Sequence, residues 1–322
     1  MYELVAKRYK KELNGAISVA HLAGSVMMHY YDLDYAVFKK DDESTPEASI
    51  FTEVDSKVDL IVRNYFRQVW SEDQLLTEET EPDECWYDSE RIWIIDPIDG
   101  TMGYKKKTGY FGISIALIEN GRPVLGVLYA PVQNLIAWAV KGEGSYLNGI
   151  RVDLNEKTAI NTILCSSNAI NRPAYQKTLE AIDHDHRLNI KTMESAVVKA
   201  LFILNNKGEI YPIPPKSEET KSVPKFWDIA AADILIHEAG GRVTTFSGET
   251  YRYNVPEFRC INGVLMGTRR GHEFALRRLQ SFGYRDREEP HSSPLPHHAA
   301  YGSVLRDSAD QAESDPGKHK SE

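Results

Sequence analysis

The sequence predicts a mixed α/β fold. One observation is helical periodicity. Between Asp55 and Trp70, the residues Val58, Ile61, Val62, Tyr65, Phe66 and Val69 fall at i, i+3, i+4, i+7, i+8 and i+11, the stripe of a helix with one buried face. The other is a series of short apolar runs separated by turn residues. Ile113–Ile118, Pro123–Tyr129 and Leu135–Val140 read as consecutive strands, and Asn120–Gly121 is a two-residue hairpin turn between the first two.

The remaining elements follow in chain order. Tyr2–Tyr35 is helical in tone and predicts two helices broken near Gly24. Arg91–Ile95 is a short apolar strand, and Thr162–Ser166 and Glu209–Ile213 are further strands. Trp227–Ala239 is an almost wholly apolar helix closed by Gly240–Gly241; a helix apolar on all sides is a buried one. No internal repeat is visible. A division into an N-terminal α+β half (1–150) and a C-terminal α/β half (151–284) falls near Asn148–Asn155. Residues 285–322 are rich in Pro, Ser, His and charge, with five basic and eight acidic residues. Such a segment buries too little apolar surface to offset its ordering entropy, and it reads as a disordered tail.

The chain has 322 residues with a net charge of −9, which argues against a nonspecific nucleic-acid coat or an anionic membrane as partner. The three cysteines Cys85, Cys165 and Cys260 make no disulfide framework and no CxxC pair, which favours a reducing compartment and argues against a thiolate zinc site. No signal peptide or membrane-spanning run is read, so the expected location is cytoplasmic.

Four groups of acids stand in apolar surroundings, where an uncompensated carboxylate is costly. In Trp93-Ile94-Ile95-Asp96-Pro97-Ile98-Asp99-Gly100-Thr101 an apolar strand runs into two aspartates. Ligands bind at such strand ends in α/β sheets, and Gly100 and Thr101 could offer N–H groups to a phosphate. The same residues could be an ordinary Asp-Pro-x-Asp-Gly turn. Asp228 opens the apolar helix, either as a ligand or as an acid at the positive helix end. Glu78–Glu79 follow Leu75–Leu76 and could also be plain surface charge. Thr52 and Asp55 have capping-box spacing, yet Asp55 also lies on the apolar stripe of its helix. Together the acids suggest an all-oxygen site for a hard divalent cation such as Mg²⁺, and hence phosphoryl chemistry.

These motifs resemble those of the inositol monophosphatase superfamily of lithium-sensitive, magnesium-dependent phosphatases. Asp96-Pro97-Ile98-Asp99-Gly100-Thr101 is similar to its DP[IL]DGT signature. Phe226-Trp227-Asp228-Ile229-Ala230-Ala231 with Glu238-Ala239-Gly240-Gly241 is similar to its WDxAA…EAGG signature, with Glu78–Glu79 and Thr52–Asp55 in the family's order. Thr77, Ala232 and Met102-Gly103-Tyr104 depart from the residues usual there. The resemblance implies a five-layer αβαβα sandwich and two or three Mg²⁺ ions. It implies that Glu78, Asp96 and the Ile98 carbonyl hold one ion, that Asp96, Asp99 and Asp228 hold another, and that Glu79 and Asp55 serve a third. It implies that Thr101, with Glu78, orients the attacking water, and that the Gly100 and Thr101 N–H groups hold the phosphate. The runs around Ile115–Ile118, Gly121–Val127 and Tyr129–Val132, with Ser195, Lys199 and Ile210-Tyr211-Pro212, look like the 3′(2′),5′-bisphosphate nucleotidase branch. That branch removes the 3′-phosphate of adenosine 3′,5′-bisphosphate. Ser195, Lys199 and Lys105 are then expected on the substrate side, although Lys105–Lys107 could equally be a solvated basic turn. An inositol or sugar phosphatase, and a catalytically silent metal- and phosphate-binding protein, are the competing readings. The expected partner is a small phosphorylated metabolite, not nucleic acid or membrane. A homodimer is common in the family, and no residue here decides it.

Overall fold

The computed structural model describes residues 8–39, 50–155, 159–218, 220 and 223–284. The expected tail at 285–322 lies outside the described residues. The elements in order are α1 (Lys10–Tyr31), β1 (Val37–Lys39), β2 (Ile50–Thr52), α2 (Glu53–Val69), β3 (Gln74–Thr77), β4 (Arg91–Asp99), α3 (Thr101–Lys105), β5 (Gly112–Glu119), β6 (Arg122–Ala130), β7 (Leu135–Val140), β8 (Gly144–Leu147), β9 (Ile150–Val152), β10 (Thr162–Ser166), α4 (Pro173–Ile182), β11 (Asn189–Met193), α5 (Ala196–Leu204), β12 (Ile210–Ile213), α6 (Phe226–Glu238), β13 (Arg242–Thr244), β14 (Val264–Gly267) and α7 (Arg269–Ser281).

Strands β3 to β9 form a seven-stranded sheet in sequence order, with β3 and β4 parallel and every later neighbour antiparallel. A five-stranded sheet runs β11-β10-β12-β14-β13. Period-two alternation sends β4 side chains to two cores. Trp93 and Ile95 face α1 and α2 with Leu13, Val58 and Phe66, whereas Ile92 and Ile94 face α5 and α6 with Leu201 and Ile229. A third core of Ile163, Leu265, Leu179 and Leu279 lies between the smaller sheet and α4 with α7. The layers are therefore α1/α2, large sheet, α5/α6, small sheet, α4/α7: the expected five-layer sandwich.

Most elements follow the sequence reading, with two corrections. Helix α1 does not break at Gly24. A Cβ there would lie 2.3 Å from the Tyr129 ring, so Gly24 lets the helix lie close on β6 and is no stop signal. Strand β4 does not end at Ile95 but continues to Asp99. The hairpin turn is as expected: Asn120 and Gly121 have φ of 52° and 76°, both left-handed as a type I′ turn requires.

Candidate active site

Three local devices gather the acids at one end of β4. The first is a bulge. Asp96 pairs with Ser114 and Asp99 with Gly112, so three steps on β4 match two on β5. In a regular strand residues three apart point to opposite faces; the extra residue restores them to one side. The second is parallel pairing. Thr77 is in register with Ile95, so Glu78 leaves β3 beside Asp96. The third is the start of α6. The Ser114 hydroxyl donates to the Trp227 carbonyl at 2.9 Å, which ties the first turn of α6 to the strand paired with Asp96. Ligand oxygens of Asp96, Asp99 and Asp228 then lie within 4.8 Å of one another.

Each carboxylate has an anchor. Asp96 Oδ1 accepts from the Ile98 N–H at 3.0 Å. Asp99 Oδ2 accepts from the Ser195 hydroxyl and from the Val197 N–H at 2.7 Å, at the first turn of α5. Asp228 Oδ2 accepts from the Lys225 N–H at 2.6 Å. Gly100 makes the junction between β4 and α3 with φ of 87°, and a Cβ there would lie 2.7 Å from the Tyr110 carbonyl oxygen; both facts require glycine. The Thr101 hydroxyl lies 3.0 Å from Asp55 Oδ1 and 3.3 Å from the Ile98 carbonyl, to which it can donate. Asp55 also completes the capping box with Thr52, whose N–H donates to Asp55 Oδ2 at 2.8 Å. The capping and functional readings of Asp55 are thus compatible: one oxygen caps α2 and the other holds Thr101.

The field of the site is that of crowded anions. Asp228 is pushed up to about 7, first by burial and then by the charges of Asp99 and Glu78. Burial also raises Asp99, against the bonds from Ser195 and Val197. A bound cation would relieve both costs. Among the described residues the clustered donors are the carboxylates of Asp96, Asp99 and Asp228, a set that fits a hard divalent ion.

The expected substrate-side residues lie in three different settings. Ser195 caps α5, accepting from the Val198 N–H at 3.0 Å while donating to Asp99. Lys199 is fully buried, and its ammonium donates to the Met193 and Glu194 carbonyls at 2.9 and 3.2 Å. Burial depresses it to about 8. Its positive charge reaches the site through Asp99's surroundings and is not presented to solvent. Lys105 is exposed at the end of α3. Lys107 lays its ammonium 4.6 Å from the Tyr31 ring centre and 5.3 Å from that of Tyr35. Glu78 and Glu79 are half-buried. Sequence reasoning missed Ser114, whose signal was its place as the polar residue in an apolar strand.

Comparison with known proteins gives the family of the chain. The sequence model of the inositol monophosphatase family matches residues 9–284. The chain belongs to the inositol monophosphatase family. Among its relatives, the fructose-1,6-bisphosphatase/inositol-1-monophosphatase of Thermotoga maritima is 29% identical over 250 residues, covering 77% of this chain and 88% of that one. The Nus factor SuhB of Haemophilus influenzae is 31% identical over 247 residues, covering 74% and 87%. The 3′(2′),5′-bisphosphate nucleotidase CysQ of Salmonella typhimurium is 27% identical over 252 residues, covering 76% and 95%. In fold, the chain is similar to the crystal structure of extragenic suppressor protein suhB from Bartonella henselae, with a TM-score of 0.71, 22% identity, and 84% and 99% of the two chains covered. Family membership makes the protein a phosphatase acting on small phosphorylated substrates. Among the described residues no helix is long and apolar enough to cross a membrane.

Proposed function

We propose that the protein is a Mg²⁺-dependent phosphomonoesterase that hydrolyses the 3′-phosphate of adenosine 3′,5′-bisphosphate to give AMP and phosphate. The observation that carries the catalytic part is the convergence of Asp96, Asp99 and Asp228 within 4.8 Å at the end of β4. In this reading Glu78, Asp96 and the Ile98 carbonyl hold one Mg²⁺, and Asp96, Asp99 and Asp228 a second. Glu79 and Asp55 serve a weaker third. Bound Mg²⁺ supplies Lewis acidity toward the phosphoryl group and neutralises charge on the attacking and leaving oxygens. Thr101, fixed by Asp55, orients the attacking water with Glu78. The Gly100 and Thr101 N–H groups cradle the phosphate. The work of the chain is positioning and electrostatic preorganisation.

The substrate assignment draws support from the nucleotidase relative, of which the matched region covers 95%. The exposed cations Lys105 and Lys106 after the signature suit a second phosphate. Inositol 1-phosphate is the alternative substrate, favoured by the Thermotoga maritima relative. The net charge of −9 favours a small phosphate ester over nucleic acid as the partner. The test is phosphate release from adenosine 3′,5′-bisphosphate, inositol 1-phosphate and fructose 1,6-bisphosphate with Mg²⁺. Highest kcat/KM is expected on the first. Good turnover of inositol 1-phosphate with none of the bisphosphate would refute the nucleotidase assignment. Failure on all three, in protein that binds Mg²⁺, would favour a silent metal-binding protein.

A further inference from the structure

Helix α2 carries a second buried acid, Asp59, one turn after Asp55. It is 2% exposed. Its Oδ2 accepts from Arg63 Nε at 2.6 Å and from the Thr80 hydroxyl at 3.1 Å. Its Oδ1 is buried with no hydrogen-bond partner among the described residues. Burying a carboxylate with one oxygen unsatisfied is costly, so a compensating use is expected. The partner Thr80 indicates what that use is. Thr77 and Thr80 form an antiparallel bridge, which makes Thr77-Glu78-Glu79-Thr80 a tight turn with both glutamates at its tip. The Thr77 hydroxyl is itself buried and unpartnered, so that side chain does not fasten the turn. The Thr80 hydroxyl does, and it fastens it to the helix that carries Asp55.

We propose that Asp59 is a positioning residue: acting through Thr80, it clamps the Glu78–Glu79 turn to α2 so that both glutamates are held toward the Asp96–Asp99–Asp228 cluster. The proposal rests on the reading of Glu78 and Glu79 as metal ligands. Arg63 pairs with Asp59 Oδ2 at 2.6 Å and fixes its rotamer. The clamp makes α2 a common frame, with Asp55 at its first turn and the glutamate turn one helical turn further on. Groups that orient ligands from behind typically change metal affinity or activity by about 10–100-fold when removed.

The test uses the full chain and four variants: Thr80→Val, Thr80→Ser, Asp59→Asn and Glu78→Gln. Mn²⁺ binding without substrate is measured by electron paramagnetic resonance, alongside the Mg²⁺ dependence of turnover and the Tm in EDTA. Thr80→Val is expected to weaken Mn²⁺ binding about tenfold and raise the Mg²⁺ needed for half-maximal rate equally, with kcat at saturating Mg²⁺ retained. Thr80→Ser should keep wild-type affinity, and Asp59→Asn should behave as Thr80→Val. Wild-type Mn²⁺ affinity in Thr80→Val would overturn the proposal, as would a lower Tm with unchanged affinity. If Asp59→Asn does not fold, the two Thr80 variants still decide. Glu78→Gln separates the two levels. Weak binding there with normal binding in Thr80→Val sinks the clamp alone, and normal binding in Glu78→Gln sinks the ligand reading beneath it.

Discussion

Ser195→Ala probes the contact between β4 and α5. The hydroxyl has two bonds, one accepted from the Val198 N–H at 3.0 Å and one donated to Asp99. Loss of an N-cap serine costs ~1 kcal/mol. Loss of a hydrogen bond to a buried carboxylate costs ~1.5–3 kcal/mol, moderated here because the Val197 N–H still donates to Asp99 at 2.7 Å. The metal-free protein should therefore lose about 3 kcal/mol, or about 6 °C in Tm for a body of this size. Differential scanning calorimetry in EDTA measures it. With excess Mg²⁺ the gap from wild type should narrow, because a cation takes over the compensation of Asp99 while the lost cap is not restored. An unchanged Tm would show that the hydroxyl supports neither helix nor carboxylate. A loss equal in EDTA and Mg²⁺ would show that Asp99 does not face a cation.

Three further outcomes are expected. Asp96→Asn should abolish turnover and Mn²⁺ binding while circular dichroism stays native; wild-type kcat would contradict the metal assignment. Asp228, raised to about 7 by burial and by Asp99 and Glu78, should make Mg²⁺ affinity rise with pH through neutrality, with protons released on binding. Because its folded value lies above the unfolded one, its contribution to metal-free stability is present at acid pH and lost as pH rises through about 7. Calorimetry in buffers of different ionisation enthalpy that showed no proton release would refute this. Gly126→Ala places a Cβ 2.7 Å from Ile234 Cγ2 and 2.8 Å from the Ala231 carbonyl oxygen. Overpacking of this kind costs ~1–3 kcal/mol, and since α6 must shift, a lower Tm should come with a higher Mg²⁺ requirement. A lower Tm with unaltered Mg²⁺ dependence would show that α6 yields without moving Asp228.

Much of the layering was legible because α2, α6 and the strands β5 to β7 have strong periodicity or strong turn signals. Helix α5 was not. Its run Ala196–Leu204 is buried throughout, and an apolar run of that length is ambiguous between helix and strand; its signal lay in the Ser195 cap. The acids of the site were legible as motif residues, but their geometry was not. The bulge that turns Asp96 and Asp99 to one side depends on pairing with β5, which no local pattern encodes. Lys199 shows the same limit: the sequence marks a cation, and only packing shows that its ammonium is spent on the carbonyls before α5. Asp59 was hidden because an acid four residues before an arginine on a helix reads as a surface pair.

The order of the layers along the chain has a consequence for synthesis. The seven strands of the large sheet are complete by Val152, whereas α5 and α6, which cover the face bearing Ile92, Ile94, Ala116 and Leu128, come only at Ala196–Leu204 and Phe226–Glu238. A ribosome therefore releases an apolar sheet face well before it releases that face's cover. Until α6 emerges, the nascent chain carries both an exposed sticky surface and an incomplete acid cluster. The uncovered interval runs from Val152 to Glu238, and it is over this middle stretch of elongation that shielding of the nascent chain is expected to matter.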